Sequence, residues 1–163
     1  MVGCDKASSN EEVSLKEKEV EQIKELVSEY SLGKIKNESA SITSQHLIVK
    51  KNDGNEKTYN LPEEEFFVSI APYVDETHPC TNHSLTDCQG ELAEETFDVF
   101  IEDTEGNVIL NEELVSQHNG FFDLWLPRDQ TYKVKIKYDG KQVESEISTF
   151  ENDGTCVTTM QLS

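Results

Sequence analysis

From Ser41 to the end of the sequence, apolar and polar residues alternate in short runs that are separated by turn signals. Strict alternation is typical of strands with one buried face, and Asn-Gly or Asp-Gly pairs join such strands in hairpins. Several short strands at this spacing predict a small antiparallel sandwich or barrel. The predicted strands cover residues 42–51, 57–61, 66–74, 95–102, 108–110, 121–126, 132–138, 142–150 and 155–162.

A helical period precedes the strands. From Asn10 to about Leu32, apolar residues recur at spacings of three, four and seven, which predicts an amphipathic helix that ends at Gly33. The apolar stripe of this helix packs either on the β domain or on the same helix of a second copy, because a lone helix of this length is marginal in water. The fold class predicted is therefore α+β, mainly β, with an N-terminal amphipathic helix followed by a small antiparallel β-sandwich or barrel.

The predicted organisation has three parts: residues 1–10 as a spacer, residues 11–38 as a helical segment and residues 39–163 as the β domain. The chain carries 14 basic and 33 acidic residues, a formal net charge of −19. This balance argues against partners that depend on Lys and Arg meeting phosphate, such as nucleic acid and anionic lipid. No run of the sequence approaches the roughly 18–20 apolar residues that cross a bilayer.

Soft and borderline metal ligands concentrate in one segment between two predicted strands. His78, Cys80, His83 and Cys88 fall within residues 78–88, together with loop-forming residues such as Pro79. Thiolates and imidazoles hold copper or zinc in preference to harder ions. The segment therefore predicts a metal site, a disulfide or a redox-active thiol.

The N-terminus begins Met1-Val2-Gly3-Cys4 and continues into a short polar stretch. An apolar residue, a glycine and a cysteine before a polar spacer are what remains of a bacterial lipoprotein signal when its apolar segment is removed. We therefore expect Cys4 to carry lipid and the protein to be extracytoplasmic, a location that also permits disulfides. The alternative is an ordinary thiol near the terminus.

Three cysteines remain when the N-terminal one is set aside, and three thiols cannot all be paired within one chain. One arrangement is a single disulfide, either Cys80–Cys88 or from the loop to Cys156, with one free thiol. The other is three thiolates around a soft cation. Trigonal sulfur coordination suits Cu(I), whereas zinc usually takes a fourth ligand, which His78 or His83 could supply.

Other candidate ligands carry less support. Period-two alternation places Met160 on the same face as Cys156, where a thioether could join the site, although a methionine in a strand is more often part of the core. His46 and His118 stand apart from the loop, and a solvated or structurally bonded histidine is the simpler interpretation of each. No flanking glycines mark a hydrolase nucleophile.

The loop His78–Leu92, together with the distal segment Gly154–Leu162, resembles the CueP family of bacterial exported copper-binding proteins. The resemblance covers roughly residues 40–163 and the helix only loosely. It implies that Cys80, Cys88 and Cys156 form a copper site in a β domain, that the helical part serves dimerisation, and that the protein acts in periplasmic copper resistance. It also implies reduction of Cu(II) to Cu(I) and supply of copper to a copper-zinc superoxide dismutase.

We therefore expect an extracytoplasmic copper-binding protein that holds Cu(I) through its three cysteines, for copper resistance and delivery, with reduction of Cu(II) as its only chemistry. His78 and His83 would capture Cu(II) first, and zinc could compete. The expected partners are copper, a thiol-disulfide reductant, a copper client and a second copy of the chain, with membrane contact only through lipid on Cys4. The alternative is a cell-surface β-sandwich interaction module whose cysteines staple a loop.

Overall fold

The computed structural model describes residues 18–163. The predicted lipidation site at Cys4 and the first part of the predicted helix lie outside these residues. Within them, helix α1 covers residues 18–31 and is followed by strands. The strands are β1 (Glu38–Ile42), β2 (His46–Lys51), β3 (Glu56–Asn60), β4 (Glu65–Ile70), β5 (His83–Ser84), β6 (Thr96–Asp103), β7 (Val108–Val115), β8 (Phe122–Pro127), β9 (Thr131–Tyr138), β10 (Lys141–Ser148) and β11 (Cys156–Val157).

The strands form three sheets, with orders β3-β2-β1-β5, β10-β9-β6-β7 and β11-β4-β8. Neighbouring strands pair antiparallel except β11, which runs parallel to β4. The short central sheet β11-β4-β8 has apolar residues on both faces. On one face, alternate residues of β4 and β8 pack against β6 and β9, and Met160 and Leu162 complete this larger core.

The second core lies on the opposite face of the central sheet. Phe67 of β4 and the half-buried Trp125 of β8 contact buried residues of β1, β2 and the helix. Because β4 is covered on both faces, residues 66–70 are all buried, which explains why its sequence reads as an apolar run, interrupted only at Ser69, and not as an alternation.

Helix α1 packs on the β domain of its own chain, through the buried Val27 and Tyr30. Polar contacts fix its position: Lys24 pairs with Glu65 and its ammonium lies 5.4 Å from the centre of the Trp125 ring. Near the end of the helix, the Ser31 hydroxyl donates to Asp123 at 2.6 Å. Within residues 18–163, the β domain of the same chain therefore covers the apolar face of the helix.

The predicted fold class, mainly β with an N-terminal helix and an antiparallel sandwich, is confirmed. The turns at Asp53-Gly54 and Asp139-Gly140 join β2 to β3 and β9 to β10, as predicted. The last strand is much shorter than the predicted 155–162, since only Cys156–Val157 form a regular ladder and a single bridge links Gln161 to Tyr73. No helix in residues 18–163 is long and apolar enough to cross a membrane.

Candidate metal centre

The cysteine-containing loop, defined here as residues 77–90, is fixed at both ends by contacts with the rest of the β domain. At its start, the Thr77 hydroxyl donates to the Thr158 carbonyl at 2.5 Å. At its end, the Gly90 amide donates to the Asn119 carbonyl at 2.6 Å. The Glu91 carboxylate, just past the loop, accepts backbone N–H groups of residues 74, 75 and 76, each at 3.0 Å. Hydrogen bonds therefore hold both ends of the loop against the rest of the β domain.

Inside the loop, β5 and a turn position Cys88. Ser84 pairs with Ser41 of β1, which anchors the loop to the first sheet. The Cys88 amide donates to the Ser84 carbonyl at 3.2 Å, and the Ser84 amide donates to the Cys88 sulfur at 3.3 Å. These two reciprocal bonds direct the Cys88 thiol toward the interior of the loop.

Cys156 reaches the loop because it lies on β11. The parallel pairing places Cys156 beside Ser69 of β4, and its amide donates to the Thr81 carbonyl at 3.1 Å. Gly154 passes so close to Thr81 that a Cβ on residue 154 would lie 2.5 Å from the same oxygen. A glycine here lets the two backbones approach, which brings the last strand to the cysteines of the loop.

The sulfur atoms of Cys80, Cys88 and Cys156 all lie within 4.8 Å of one another. Cys80 and Cys156 form a disulfide with their Cα atoms 5.6 Å apart, and Cys88 is the free thiol among the described cysteines. The Cys88 sulfur lies 3.6 Å from that of Cys80. The buried Phe121 and Ala71 pack against the cluster, so the sulfur atoms sit at the margin of an apolar core.

Burial raises the pKa of the Cys88 thiol. The N–H of Ser84 opposes this shift because it stabilises the thiolate, and the neighbouring Asp87 carboxylate raises the pKa further. Cys88 is therefore mainly a thiol at neutral pH. A bound soft cation would displace its proton, because metal binding requires the thiolate.

The two loop histidines lie outside the sulfur cluster. His78 is exposed, while His83 is fully buried between aromatic rings, 4.5 Å from the ring centre of Phe121 and 6.2 Å from that of Phe67. Neither ring nitrogen of His83 has a hydrogen-bond partner. Burial lowers the pKa of His83 to about 4, and the Asp123 charge opposes this shift only in part. The ring is therefore neutral at neutral pH and shielded from solvent.

The remaining candidates also stand apart from the sulfur cluster. Met160 is fully buried in the larger core with the β6 and β9 side chains. His46 lies half-buried on β2, and His118 is exposed beside Gly33 after the helix. Among residues 18–163, the thiols of Cys80, Cys88 and Cys156 form the single group of three or more acidic, histidine or cysteine ligands close enough to share an ion.

Several residues that shape the site carry no signal in the sequence. Glu91 and Gly154 belong to the segments around the cysteines, but their roles depend on contacts made after folding. Asp123 accepts hydrogen bonds from the hydroxyls of Ser31 and Ser69, both at 2.6 Å, and so ties the helix to β4 and β8. Alternation alone would place such a carboxylate in solvent.

The sulfur cluster suits a soft, low-coordinate ion when its disulfide is reduced. Three thiolates without an imidazole or carboxylate in reach favour Cu(I), since zinc sites usually contain four ligands. With the Cys80–Cys156 disulfide in place, one thiol is left and the donor set is incomplete. The same three residues therefore offer three sulfur donors when reduced and one thiol when the disulfide is formed.

Comparisons with known proteins agree with this geometry. The family model described as "Periplasmic copper-binding protein CueP" matches residues 20–161. The crystal structure of S.CueP superposes with a TM-score of 0.82 at 35% sequence identity, covering 86% of this chain and 88% of that one. A comparison with curated protein sequences gave no match. The chain therefore belongs to the CueP family of periplasmic copper-binding proteins.

Proposed function

We propose that this protein binds Cu(I) through the thiolates of Cys80, Cys88 and Cys156 in an extracytoplasmic compartment. The observation that carries the proposal is the convergence of the three sulfur atoms within 4.8 Å, from a loop and a strand distant in sequence. Phe121 and Ala71 pack against the sulfur cluster on its inner side, while Cys80 and Cys88 are half-buried at the loop surface, where copper can reach them. The net charge of −19 attracts copper ions to the surface.

Reduction of Cu(II) by the same cysteines follows from their chemistry. Two thiols give up two electrons and two protons to form one disulfide, and two Cu(II) ions each accept one electron to become Cu(I). The Cys80–Cys156 disulfide is a pairing that such a step would leave, because both sulfur atoms belong to the cluster. An external thiol-disulfide reductant must then restore the thiols before three sulfurs can hold Cu(I) again.

The capture of Cu(II) requires a ligand that this ion can reach from solvent. His78 is exposed two residues before Cys80, and imidazole suits Cu(II), so His78 is the better candidate for the first contact. The buried His83 is shielded by Phe67 and Phe121 and would need the loop to open. Uptake of Cu(II) that is unchanged in His78→Ala would remove this role.

The bound copper is passed on, in this proposal, to a copper-zinc superoxide dismutase or another extracytoplasmic client, and so contributes to copper resistance. Lipid on Cys4 would hold the protein at a membrane, and a homodimer would join two such sites.

A second function, a β-sandwich interaction module, is favoured by one observation. The disulfide joins the loop to the last strand and could serve as a permanent structural cross-link.

Titration of Cu(I) against a chromophoric competing chelator tests the proposal. The samples are fully reduced wild-type protein, Cys156→Ser and, as a matched control in the same loop, the exposed Gln89→Ala. We expect one tightly bound Cu(I) in the wild type and in Gln89→Ala, and a large loss of affinity in Cys156→Ser. Equal affinity in the wild type and both variants would identify the cysteines as a structural cross-link and overturn the copper site.

A further inference from the structure

The free thiol of Cys88 is placed against the disulfide, not merely near it. Its sulfur lies 3.6 Å from the Cys80 sulfur, which is itself bonded to Cys156. This separation is close to van der Waals contact between two sulfur atoms. A thiolate attacks a disulfide along the line of the S–S bond. Because all three sulfur atoms lie within 4.8 Å of one another, Cys88 stands to the side of that line, and a local shift of its side chain is needed to bring the sulfur into position.

We propose that the oxidised protein exchanges its disulfide internally, between the Cys80–Cys156 and Cys80–Cys88 pairs. Cys88 loses its proton to solvent and its sulfur attacks the Cys80 sulfur. The Cys80–Cys88 bond forms as the Cys80–Cys156 bond breaks, and Cys156 leaves as a thiolate that takes up one proton. The protein is neither oxidised nor reduced, because the three site cysteines hold one disulfide and one thiol before and after.

The local structure holds the attacking sulfur in place. The Ser84 amide donates to the Cys88 sulfur at 3.3 Å, and a hydrogen bond of this kind stabilises a thiolate. The turn that carries Cys88 closes on itself through the Cys88 amide and the Ser84 carbonyl. Cys80 and Cys88 therefore belong to one short loop, in which a disulfide between them bridges only the turn.

The exchange changes which sulfur atoms an external reductant can reach. Cys156 is buried, with 7% of its surface exposed, whereas Cys80 and Cys88 are both half-buried at the loop surface. In the Cys80–Cys156 form, one of the two bonded sulfurs is shielded, but in the Cys80–Cys88 form both lie at the surface. The inference rests on the proposed function, since it explains how the copper site is returned to its reduced state by a thiol-disulfide reductant.

Separation of the two isomers tests the exchange. Copper-free protein is oxidised to one disulfide, acidified to stop exchange and fractionated, and each fraction is returned to neutral pH without oxygen. After a second acid quench, the free thiols, which are Cys4 and one of the three site cysteines, are alkylated in denaturant and located by mass spectrometry. Cleavage before Asp87 separates the peptides of Cys80 and Cys88. We expect a single isomer to regenerate a mixture, with label on both Cys88 and Cys156.

Two variants keep the test decisive. Cys156→Ser must form the Cys80–Cys88 disulfide on oxidation, and Cys88→Ser must hold the Cys80–Cys156 disulfide without change. Cys4 is labelled in every sample and serves as an internal reference. Among the site cysteines, label confined to Cys88 in the wild type at all times, or free thiols at both Cys80 and Cys88 in oxidised Cys156→Ser, overturns the exchange. Titration of Cu(I) into the reduced wild-type sample separates the two proposals: intact binding with no exchange overturns the exchange alone, whereas absent binding overturns the copper site.

Discussion

Gly154 lies against the backbone carbonyl of Thr81, at the point where the last strand meets the cysteine-containing loop. A Cβ on residue 154 would lie 2.5 Å from that oxygen. Gly154→Ala must therefore push the loop away from Cys156, at a cost of about 1–3 kcal/mol for the added methyl group. We expect weaker Cu(I) binding in the chelator competition and slower formation of the Cys80–Cys156 disulfide. Affinity equal to that of Gln89→Ala would show that the close approach is not needed.

Replacement of His83 by leucine should stabilise the protein or leave its stability unchanged. Both ring nitrogens are buried without a hydrogen-bond partner, and each such group costs about 1–3 kcal/mol relative to its solvated state. An apolar side chain between Phe67 and Phe121 avoids that cost. Urea unfolding of the reduced proteins measures the effect, with the exposed His118→Leu as control. A less stable His83→Leu that also loses Cu(I) would instead identify His83 as a ligand.

The lowered pKa of His83 predicts that the free energy of unfolding depends on pH. Burial lowers the pKa of His83 from 6.5 to about 4, so between these pH values the unfolded chain binds a proton that the folded chain does not. The free energy of unfolding of the wild type should therefore fall, by up to about 3 kcal/mol, as the pH drops from 6.5 to 4. In His83→Leu this contribution is absent, so the stability difference between the two proteins should widen toward acid pH. Parallel curves for the two proteins would contradict the assignment.

The Glu91 carboxylate should stabilise the cysteine-containing loop at neutral pH but not at acid pH. Hydrogen bonds from the backbone N–H groups of residues 74–76 lower the pKa of its carboxyl group. Glu91→Gln removes the negative acceptor, and we expect a loss of about 1 kcal/mol in stability with weaker Cu(I) binding. Because the folded pKa is depressed, the wild-type advantage should disappear as the pH falls through that pKa. The exposed Glu63→Gln serves as the charge-matched control and should match the wild type.

Strands could be predicted where the alternation of apolar residues is locally complete, and also where apolar residues form one short run, as in β4. β6 and β9 show one buried and one exposed face along their length, and the turns at Asp53-Gly54 and Asp139-Gly140 supply the connections. Strands β1 (Glu38–Ile42) and β5 (His83–Ser84) were not predicted because both are short and mostly polar. Their pairing depends on a neighbour that is distant in sequence.

The candidate site was predictable in its residue types but not in its arrangement. Sequence reasoning grouped His83 with the cysteines because both fall in one segment. The alternation imposed by β5, however, directs His83 inward to Phe121. The proximity of Cys156 to the loop depends on the parallel pairing of β11 with β4, which no local pattern encodes. The ligand set of three thiols remains a prediction until Cu(I) binding is measured.

The separation in sequence between the bonded cysteines also affects the order in which disulfides can form. Cys156 follows Cys80 by 76 residues, so a chain that is synthesised or exported N-terminus first presents Cys80 and Cys88 to an oxidant well before Cys156 emerges. Of the three site cysteines, the pair that can be joined first is therefore not the pair joined in the folded protein. The proposed exchange at Cys80 would convert an early loop disulfide to the final connectivity, without help from an isomerase.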